Sequence, residues 1–588
     1  MAVSSFLTFV LAALCIASSV SANYTFDLFE GTALQDEVAN KSPSELDYTT
    51  GGGVPYPQPY EAQRVSETGP LLTQDFHLIE SLAHFHRERV PERVVHAKGA
   101  GAHGYFQTTT DVGKKYSMAD VFQRVGEKTP ITMRFSTVGG EEGSADVARD
   151  PRGFSIKLRT KKGIWQALSL VYSPALTDLI FLRDWVWNNT PVFFIRDPAK
   201  FPNFIHTQKR NPQTHLKDKD MFWDYLSSNP ESLYQVMRLF SDLGTPYGFR
   251  HMNGWSGHTY RLDYKLLKIR TVKEDDSWHY VKSASLQKRC FQQALIKILC
   301  RFSAYTDQGI KNHTNAEATA LAGSNPDFGT QDLFEAIEAG NYPSWTVYVQ
   351  AITPEAAKTF RCASTFTSDA QKMDAHHSPG NVLDLTKDWS EQDVPREEIG
   401  KLVLTQNPKN YFAEIEQVAF APGHMVAGVE PSEDPVLQSR LFAYPDAQRY
   451  RLGVNYQTIP VNCPFAPVAN FQRDGRAVHD DNQGSRPNYP STQEKLNLPK
   501  RPYNDANHTI WTGGAVRYLS EVTDVDFEWP KYFWGNLTNQ DQDNFIENVV
   551  GHLGLATSET IKKRQLALFA KVNKSLSQRL AQGMNITM

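Results

Sequence analysis

Cysteine is scarce in this sequence, and the few cysteines that occur are far apart. Among the 588 residues there are five, at Cys15, Cys290, Cys300, Cys362 and Cys463. No two of them form a CxxC pair, which excludes a disulfide-dense scaffold and the usual structural zinc sites. Cys15 lies in a predicted leader segment, and for the other four one disulfide bridge and free thiols both remain open.

An excess of charge of either sign is also missing. The chain has 61 Lys and Arg against 65 Asp and Glu, a formal net charge of -4, and its basic stretches are short. This balance gives no reason to expect a nucleic-acid partner. Hydrophobic residues make up 40% and charged residues 21%, which is typical of a globular protein with a real core. After the first segment no apolar run reaches the length of a membrane span, so we expect no membrane partner.

The first 22 residues, MAVSSFLTFVLAALCIASSVSA, predict a secretory signal that is cut after Ala22. A membrane anchor is the alternative, but the apolar run is short for a full span. The C-terminal residues, GMNITM, are not a peroxisomal Ser-Lys-Leu signal. We therefore expect a secreted protein, glycosylated at some of the Asn-x-Ser/Thr triplets that begin at Asn23, Asn312, Asn507, Asn536, Asn573 and Asn585.

Composition divides the mature chain into four parts. Residues 23–75 are polar and rich in turn residues, which indicates an N-terminal arm. Residues 76–360 mix helical stretches with the β-like runs VVHA, ITMRFSTV, FSIKLRT, PVFFIRD and WTVYVQAI. Residues 361–505 show little periodicity, which is typical of a long functional connection, and residues 506–588 are mostly helical. The pattern favours an α+β protein.

Two histidines stand seven residues apart in the stretch RVVHAKGAGAHGYF, residues 93–106. Val94 and Val95 lead into a run of Ala and Gly, which predicts a strand that another group approaches closely. A single His beside an apolar strand is usually structural. The stretch alone therefore leaves open whether His96, His103 or neither is catalytic.

A second stretch, RLFAYPDAQRYRLG at residues 440–453, combines an arginine with a tyrosine. VLQSRLFAY predicts a short helix that Pro445 ends, because the residue before a proline resists helical geometry. Arg440 and Tyr444 then share one helix face, and an arginine held against a phenol favours the phenolate. A phenolate is a suitable ligand for ferric iron. The alternative is an ordinary helix end with a packed tyrosine.

These stretches belong to a longer series of motifs that resembles the monofunctional haem catalases, in the small-subunit form. The resemblance implies an α+β haem-catalase fold, with an antiparallel eight-stranded β-barrel, an N-terminal arm, a long wrapping connection and a C-terminal helical domain. The motifs run in the family's order from about residue 90 to 460: RVVHAKGAGA, RFSTV, RDPRGFSIK, NNTPVFFIRD, FIHTQKRNPQTHLKD, RHMNGW, DQGIKN, NYPSW, KLVLTQNP, YFAEIEQVAF and RLFAYPDAQRYRLG.

The resemblance assigns roles to single residues. His96 falls on the distal histidine, Ser136 on the serine that orients its imidazole, and Asn188 on the distal asparagine. Tyr444 falls on the axial ligand of the haem iron, and Arg440 on the residue that keeps it a phenolate. The other matches are haem contacts: propionate-binding arginines at Arg93, Arg134 and Arg451, an aromatic at Phe201, and channel-narrowing side chains at Val95 and Phe193.

The implied function is the disproportionation of hydrogen peroxide to water and oxygen through a ferryl haem, by a homotetramer that carries haem b. NADPH, which some members bind, is not expected. Leu243 stands where an arginine would meet its 2′-phosphate, and Tyr234 stands near a position often held by His. Two alternatives stay open: a haem enzyme that acts on organic hydroperoxides, and a secreted haem-fold glycoprotein whose activity is impaired.

Four segments interrupt the resemblance, at residues 166–183, 263–271, 283–301 and 362–380. Their composition differs from that of their neighbours, and family-like sequence resumes after each. We hypothesise that they are translated intron sequence or other gene-model errors, with genuine surface insertions as the alternative. A transcript that encodes all four would contradict the intron hypothesis. The first segment ends shortly before Asn188, so we expect it to displace that residue if it enters a barrel strand.

Overall fold

The strands and helices are those of a computed structural model of the chain. It describes residues 41–160, 181–269, 291–358, 360, 381–426, 428–464, 468–478, 480–497 and 517–587. The predicted signal, residues 1–22, lies outside these ranges. By its contacts the chain divides into two compact units, residues 1–91 with 469–496, and residues 92–468 with 497–588. Within the described ranges, no helix has the length and apolar character needed to cross a membrane.

The smaller unit carries little regular structure. Its described part has one α-helix, α1 (Phe76–Phe85), which begins where the Asp75 side chain accepts the backbone N–H of Leu78. No residue of α1 is buried, although its sequence FHLIESLAHF is largely apolar. Residues 41–75 before it make turns and two isolated β-bridges.

Ten strands of the larger unit form one antiparallel sheet in the described part of the chain. They are β1 Gly99–Thr108, β2 Lys128–Thr137, β3 Arg152–Thr160, β4 Phe181–Asn188, β5 Gly254–Trp255, β6 Tyr260–Ile269, β7 Phe291–Thr306, β8 Ser344–Ile352, β9 Glu397–Gln406 and β10 Val429–Pro431.

The sheet closes on itself into a barrel. β1 pairs with β2 and β9, and β8 pairs with both β7 and β9. β5 and β6 pair with successive parts of β7 and together count as one strand of the barrel, which therefore has eight strands. β10 adds to β6 outside it. The expected eight-stranded antiparallel barrel is confirmed.

The two faces of each barrel strand differ, because successive side chains of a strand point to opposite sides. The inward side chains form an aromatic core that includes Phe135, Phe154, Trp185, Trp187 and Trp345. The alternate side chains of β1 to β4 point outward. Arg134, Ser136 and Gly153 lie there and are buried, so other parts of the chain cover this face.

Helices surround the barrel and form the C-terminal region. They are α2 Val112–Tyr116, α3 Phe201–Gln208, α4 Lys219–Ser228, α5 Leu233–Phe240, α6 Asn315–Ser324, α7 Phe328–Glu338, α8 Pro354–Ala357, α9 Pro435–Leu452, α10 Glu528–Asn536, α11 Asn539–Leu553, α12 Glu559–Val572 and α13 Lys574–Gly583. The last four pack with α3, α4 and α5 around one hydrophobic core. The prediction of a helical tail is confirmed.

Several local predictions are corrected by the structure. β9 is a barrel strand, so the barrel does not end at residue 360 and the connection over 361–505 is not uniformly irregular. VVHA is not a strand, because His96 has a φ of 66°, which a strand does not accommodate. PVFFIRD is not a strand either, although Phe194 and Ile195 within it are buried in the core of the helical region.

The helix that carries Tyr444 does not end at Pro445. α9 runs through it to Leu452, and Gly453 ends it with a φ of 107°. Pro445 removes one backbone hydrogen bond, and its ring crowds the carbonyl of Leu441, so the helix needs support from other contacts there. Side chains hold the helix on both sides of that point, because Arg440 donates to the Val186 carbonyl and Arg451 to the Glu416 carbonyl.

Parts of three interrupting segments continue barrel strands. Residues 181–183 belong to β4, residues 263–269 to β6 and residues 291–301 to β7. Residues 263–269 pair with residues 291–297 as an extension of the β6–β7 hairpin, past the residues that pair with β8 and β10. The surface-insertion alternative therefore stays a prediction beside the intron hypothesis. The remainder of these segments, and all of 362–380, lies outside the described residues. Asn188 keeps its register at the end of β4, opposite Gly153, so the expected displacement is wrong.

Candidate active site

One row of residues crosses the outer face of β1 to β4. Gly99 is paired with Ser136, Ser136 with Gly153, and Gly153 with Asn188. Paired residues of an antiparallel sheet point to the same face. Ser136 in β2 and Asn188 in β4 therefore lie on either side of Gly153 in β3, on the same face of the sheet.

His96 lies over this row. Its Nδ1 is 2.9 Å from the Ser136 Oγ. Its backbone has a φ of 66°, a strained conformation for a residue with a Cβ, and the backbone is fixed on both sides. The His96 N–H donates to the Val138 carbonyl, and the Arg134 guanidinium donates to the carbonyls of His96 and Ala97, both at 2.8 Å. The left-handed backbone of His96 directs its imidazole toward Gly153. The same conformation is incompatible with a strand, so β1 begins after His96.

Gly153 gives the imidazole its space. A Cβ at this position would lie 2.5 Å from Ser136 Oγ and 2.7 Å from His96 Nδ1, and contacts this short force one group to move. We expect Gly153→Ala to lower kcat for peroxide by about a hundredfold, since misplacement of a catalytic group by about 1 Å has that effect. Initial rates of oxygen evolution measure it.

Gly143→Ala is the matched control for this substitution. A Cβ at Gly143 would meet no atom within 4 Å, and we expect wild-type kcat. Equal kcat in the two variants would show that the contact of Gly153 with His96 and Ser136 has no catalytic consequence.

The imidazole of His96 is neutral at neutral pH. Burial, together with the positive charges of Arg134, Arg440, Arg93 and Lys209, lowers its pKa from 6.5 to about 3. A neutral ring keeps one nitrogen lone pair that accepts a proton.

The low pKa of His96 has a testable consequence. Protonation of His96 should not reduce kcat/KM as the pH falls from 7 to about 4, whereas a histidine with an ordinary pKa would lose activity near pH 6.5. As the pH falls, His96 is protonated in the unfolded chain before it is protonated in the folded chain. The free energy of unfolding therefore decreases as the pH falls from 6.5 toward 3. Brief-exposure rates of oxygen evolution between pH 4 and 8 measure the profile, and an inflection near pH 6.5 would contradict it.

Asn188 and its neighbour Asn189 have different tasks. Asn189 is buried, and its side-chain oxygen accepts the Arg152 backbone N–H at 2.7 Å, which closes the end of β4. The Asn188 side chain is half-buried and makes no hydrogen bond with the residues that the structure describes. Its amide is therefore available to a ligand beside His96.

Tyr444 and Arg440 lie on α9 against the same face of β4. Arg440 donates to the Tyr444 hydroxyl oxygen at 2.9 Å and to the Val186 carbonyl at 3.1 Å. Tyr444 packs on the hydrophobic cluster that includes Val186, which is two residues before Asn188 and so points to the same side of β4. Burial opposes the charge of Arg440, but Tyr444 and other neighbours raise its pKa above the ordinary value, so the guanidinium stays charged beside the phenol oxygen.

Three arginines meet one carboxylate beside this face. Arg93 and Arg451 pair with Glu416 at 3.1 and 3.2 Å, and the charge of Arg134 acts on both. Burial and the neighbouring arginines hold the pKa of Arg93 well below its usual range, and that of Arg451 is lowered to about 10. In the described part of the chain Glu416 is their one ion-pair partner, and the buried Nε atoms of Arg134 and Arg451 have no hydrogen-bond partner there.

This arrangement fits a haem. Three cations against one carboxylate leave two positive charges uncompensated, and a haem brings two propionates. Glycines on the same face let the groups that border the site approach closely, because a Cβ at Gly99 would lie 2.9 Å from the Arg134 guanidinium carbon and one at Gly101 2.6 Å from Ile415 Cδ1. A phenol held by an arginine is the remaining element, an oxygen ligand suited to ferric iron.

The three predicted aromatic and channel residues also come together. Val95, Phe193 and Phe201 all pack on the core of the helical region, and the rings of Phe193 and Phe201 are 6.5 Å apart. Val95 precedes His96 directly, so one side chain of this apolar group is next to the histidine in the chain.

His103 is structural. It lies in β1, where its Nδ1 is 2.9 Å from Thr132 Oγ1 and its Nε2 is 2.6 Å from a carboxylate oxygen of Glu414. Both ring nitrogens are therefore occupied by other parts of the protein. The question that the sequence left open between the two histidines is answered by these contacts.

Sequence reasoning missed four residues that position the site. Gly153 and Glu416 lie inside the motifs RDPRGFSIK and YFAEIEQVAF. Their position in these motifs was the one sequence feature that could have indicated a role in the site. His258 and Asp434 form a buried pair at 2.7 Å, and Asp434 also accepts the Val436 and Leu437 backbone N–H groups at the start of α9. No sequence signal joins these two, which are 176 residues apart.

Comparison with known proteins agrees with this geometry. Residues 49–175, 180–297 and 289–495 match the Catalase family, and residues 520–584 match the Catalase-related immune-responsive family. The chain is 48% identical to the catalase of Schizosaccharomyces pombe, over 91% of this chain and 92% of that protein. It is 44% identical to the catalase of Mus musculus, over 93% and 91% of the two proteins. The chain belongs to the monofunctional haem catalases.

Solved structures support the same assignment. Catalase A from Saccharomyces cerevisiae superposes with a TM-score of 0.78 at 42% identity, over 92% of this chain and all of that one. The C-terminal match marks the small-subunit group of haem catalases. This catalase disproportionates hydrogen peroxide to water and oxygen. The junctions between its three family matches, at 175–180 and 289–297, fall inside two of the interrupting segments.

Proposed function

We propose that this catalase uses Tyr444 as the axial ligand of a haem b, with His96 and Asn188 acting on peroxide at the same site. The observation that carries the proposal is the excess of positive charge around Glu416, where one carboxylate stands against three arginines. Arg93, Arg134 and Arg451 are placed to bind the two propionates, and Arg440 is placed to keep Tyr444 a phenolate. Phe201 packs at the rim formed with Phe193.

His96 moves the proton between the two peroxide oxygens. When haem is bound, it would supply the redox centre that gives two electrons to one peroxide and recovers two from a second, which leaves as oxygen. The 2.9 Å contact of His96 Nδ1 with Ser136 Oγ suits the tautomer with its proton on Nδ1, in which Nε2 keeps a lone pair for a proton from one peroxide oxygen. The low pKa of the resulting imidazolium makes it a ready acid, so Nε2 gives the proton to the other oxygen as the O–O bond breaks.

Asn188 orients the peroxide, and apolar side chains select it. The free Asn188 amide donates to one peroxide oxygen and holds the substrate beside His96. Val95 and Phe193 line an apolar approach to the imidazole, which suits a small neutral substrate and disfavours bulky hydroperoxides.

The haem proposal is tested on the purified chain. We expect a Soret band with close to one haem per chain, and an alkaline pyridine spectrum of b-type haem. A soluble, folded and apo protein that does not take up added haem would overturn the proposal. It would also favour the alternative of an impaired glycoprotein.

Tight NADPH binding is not expected. Tyr234 is buried, stacks on Trp529 at 5.7 Å, and receives a 2.6 Å hydrogen bond from Arg238, so its place is filled by protein contacts. Leu243 supplies no positive charge for a phosphate. A near-stoichiometric nucleotide released from purified protein would contradict this expectation.

We also propose that the protein is a homotetramer. Helix α1 has no buried residue within the chain, and it exposes Phe76, Ile79, Leu82 and Phe85. An apolar helix of this kind is stable when another subunit covers it. Sedimentation of the native protein tests the assembly, and a monomer at micromolar concentration would contradict it.

Secretion follows from the predicted signal over residues 1–22 and remains a proposal. Asn188 also begins an Asn-x-Thr triplet, and a glycan there would block the site, so we expect it to be unmodified in active protein. Detection of the mature chain in the culture medium, together with glycopeptide mapping, tests both expectations. A glycan at Asn188 in active enzyme would contradict the role given to this residue.

A further inference from the structure

Lys219 and His552 form a contact outside the haem site with unusual hydrogen-bond chemistry. Lys219 is the first residue of α4, and its Nζ is 2.6 Å from Nε2 of His552 in α11. On the other side of the ring, the Trp223 indole N–H donates to His552 Nδ1 at 3.0 Å. An indole nitrogen only donates, so Nδ1 presents its lone pair.

The indole contact determines which nitrogen of His552 carries the proton, and therefore whether Lys219 is charged. A neutral imidazole has one N–H and one lone pair. Since the lone pair is on Nδ1, the proton is on Nε2 and points at Lys219 Nζ. A charged ammonium has no lone pair to accept it and would place two N–H groups head to head. Lys219 therefore meets His552 as an uncharged amine.

The surroundings favour the uncharged state of both groups. The His552 ring lies 5.0 Å from that of Phe222 and 5.1 Å from that of Phe240, so its environment is apolar. Burial lowers the pKa of His552 to about 3, with Lys219 and Arg149 acting in the same direction. Burial also lowers the pKa of Lys219, and the charge of Lys217 lowers it further.

Lys219 lacks the carboxylate partner that three other enclosed lysines have, and it differs from Lys209, whose amine donates to the Gly139 carbonyl. Lys157 pairs with Asp184, Lys200 with Glu231, and Lys387 with Asp526. Among the residues that the structure describes, no carboxylate lies within ion-pair distance of Lys219 Nζ. The adjacent Asp220 is bound instead by the Thr557 hydroxyl and by backbone N–H groups at the start of α12.

We propose that Lys219 is a nucleophilic amine at neutral pH and a covalent modification site for small apolar aldehydes. The Nζ lone pair turns away from the His552 Nε2–H and attacks the carbonyl carbon, both Nζ protons leave with the carbonyl oxygen as water, and a C=N bond remains. No oxidant or reductant enters this step. The aromatic rings around His552 favour an apolar chain on the aldehyde, and the adduct removes the hydrogen bond between Lys219 and His552.

The test compares two lysines of the same holoenzyme. An ordinary lysine with a pKa near 10.4 is uncharged in about one molecule in 2,500 at pH 7, so its amine reacts slowly. With limiting propanal and sodium cyanoborohydride at pH 7, we expect Lys219 to be alkylated at least about tenfold faster than Lys200, whose amine is bound to Glu231. Peptide mass spectrometry over time gives both rates in one sample. Equal rates would overturn the proposal.

Two variants test the hydrogen-bond cause. Trp223→Phe removes the indole donor, so the imidazole proton can move to Nδ1 and Nε2 can accept from a charged Lys219. His552→Gln offers an amide oxygen with the same effect. We expect alkylation of Lys219 to fall toward the rate of Lys200 in both, with the haem spectrum unchanged as a control for folding. An unchanged Lys219 rate in a folded variant would refute the assignment.

Discussion

Loss of the His96 imidazole is expected to reduce hydrogen peroxide turnover by about a thousandfold or more, since proton transfer by a positioned side chain contributes about 10²–10⁴. His96→Ala tests the role, and His96→Asn is the better tolerated change. Asparagine accepts the left-handed backbone that the φ of 66° requires, but it cannot exchange a proton. Oxygen evolution per bound haem is the measurement.

His103→Ala is the control for both His96 variants. His103 lies in the same stretch of sequence, but its ring nitrogens contact Thr132 and Glu414. We expect turnover per haem within about threefold of wild type, with some loss of stability from the broken contacts. If turnover fell equally for His103→Ala and His96→Asn, the assignment of the catalytic histidine would be wrong.

Removal of the Tyr444 hydroxyl is expected to have the second large effect. Tyr444→Phe keeps the ring that packs on the cluster around Val186 but deletes the oxygen that Arg440 contacts at 2.9 Å. With no ligand for the iron, we expect the Soret absorbance per chain to fall by about tenfold or more and oxygen evolution to fall with it. Absorbance spectra of the purified variant measure the loss.

Tyr450→Phe is the control on the same helix. Its side chain is exposed, so removal of its hydroxyl should leave haem content and turnover unchanged. Wild-type haem content and turnover in Tyr444→Phe would show that another residue binds the iron. Low haem content in both variants would indicate damage to α9 and not loss of a ligand.

Much of the fold was readable from patterns in the chain. Runs such as ITMRFSTV and FSIKLRT alternate as half-buried strands do, and they are β2 and β3. The tail has helical spacing and good capping residues, such as Thr538 with Asp541 at the start of α11. PVFFIRD failed because burial does not require a strand: its apolar side chains enter the helical core from irregular backbone.

Pro445 shows why local rules fail at the site. The residue before a proline disfavours the helical conformation, but this preference acts on a single residue. The side chains of Arg440 and Arg451 hold α9 on both sides of that point. Both partners come from distant segments, Val186 in β4 and the π-helical turn Phe412–Glu416. Local sequence contains no information about them.

By itself the sequence determined the family, the chemistry-bearing residue types and most of the elements that carry them, because these depend on motifs and on periodicity along the chain. Only the tertiary structure decided which histidine faces the site. His96 and His103 share one stretch, and they differ in the partners that β2 and the turn at Phe412–Glu416 bring to them. The same holds for the two uncompensated charges of the arginine cluster. They appear only when Arg93, Arg134, Arg451 and Glu416, more than 350 residues apart at the extremes, are folded into one place.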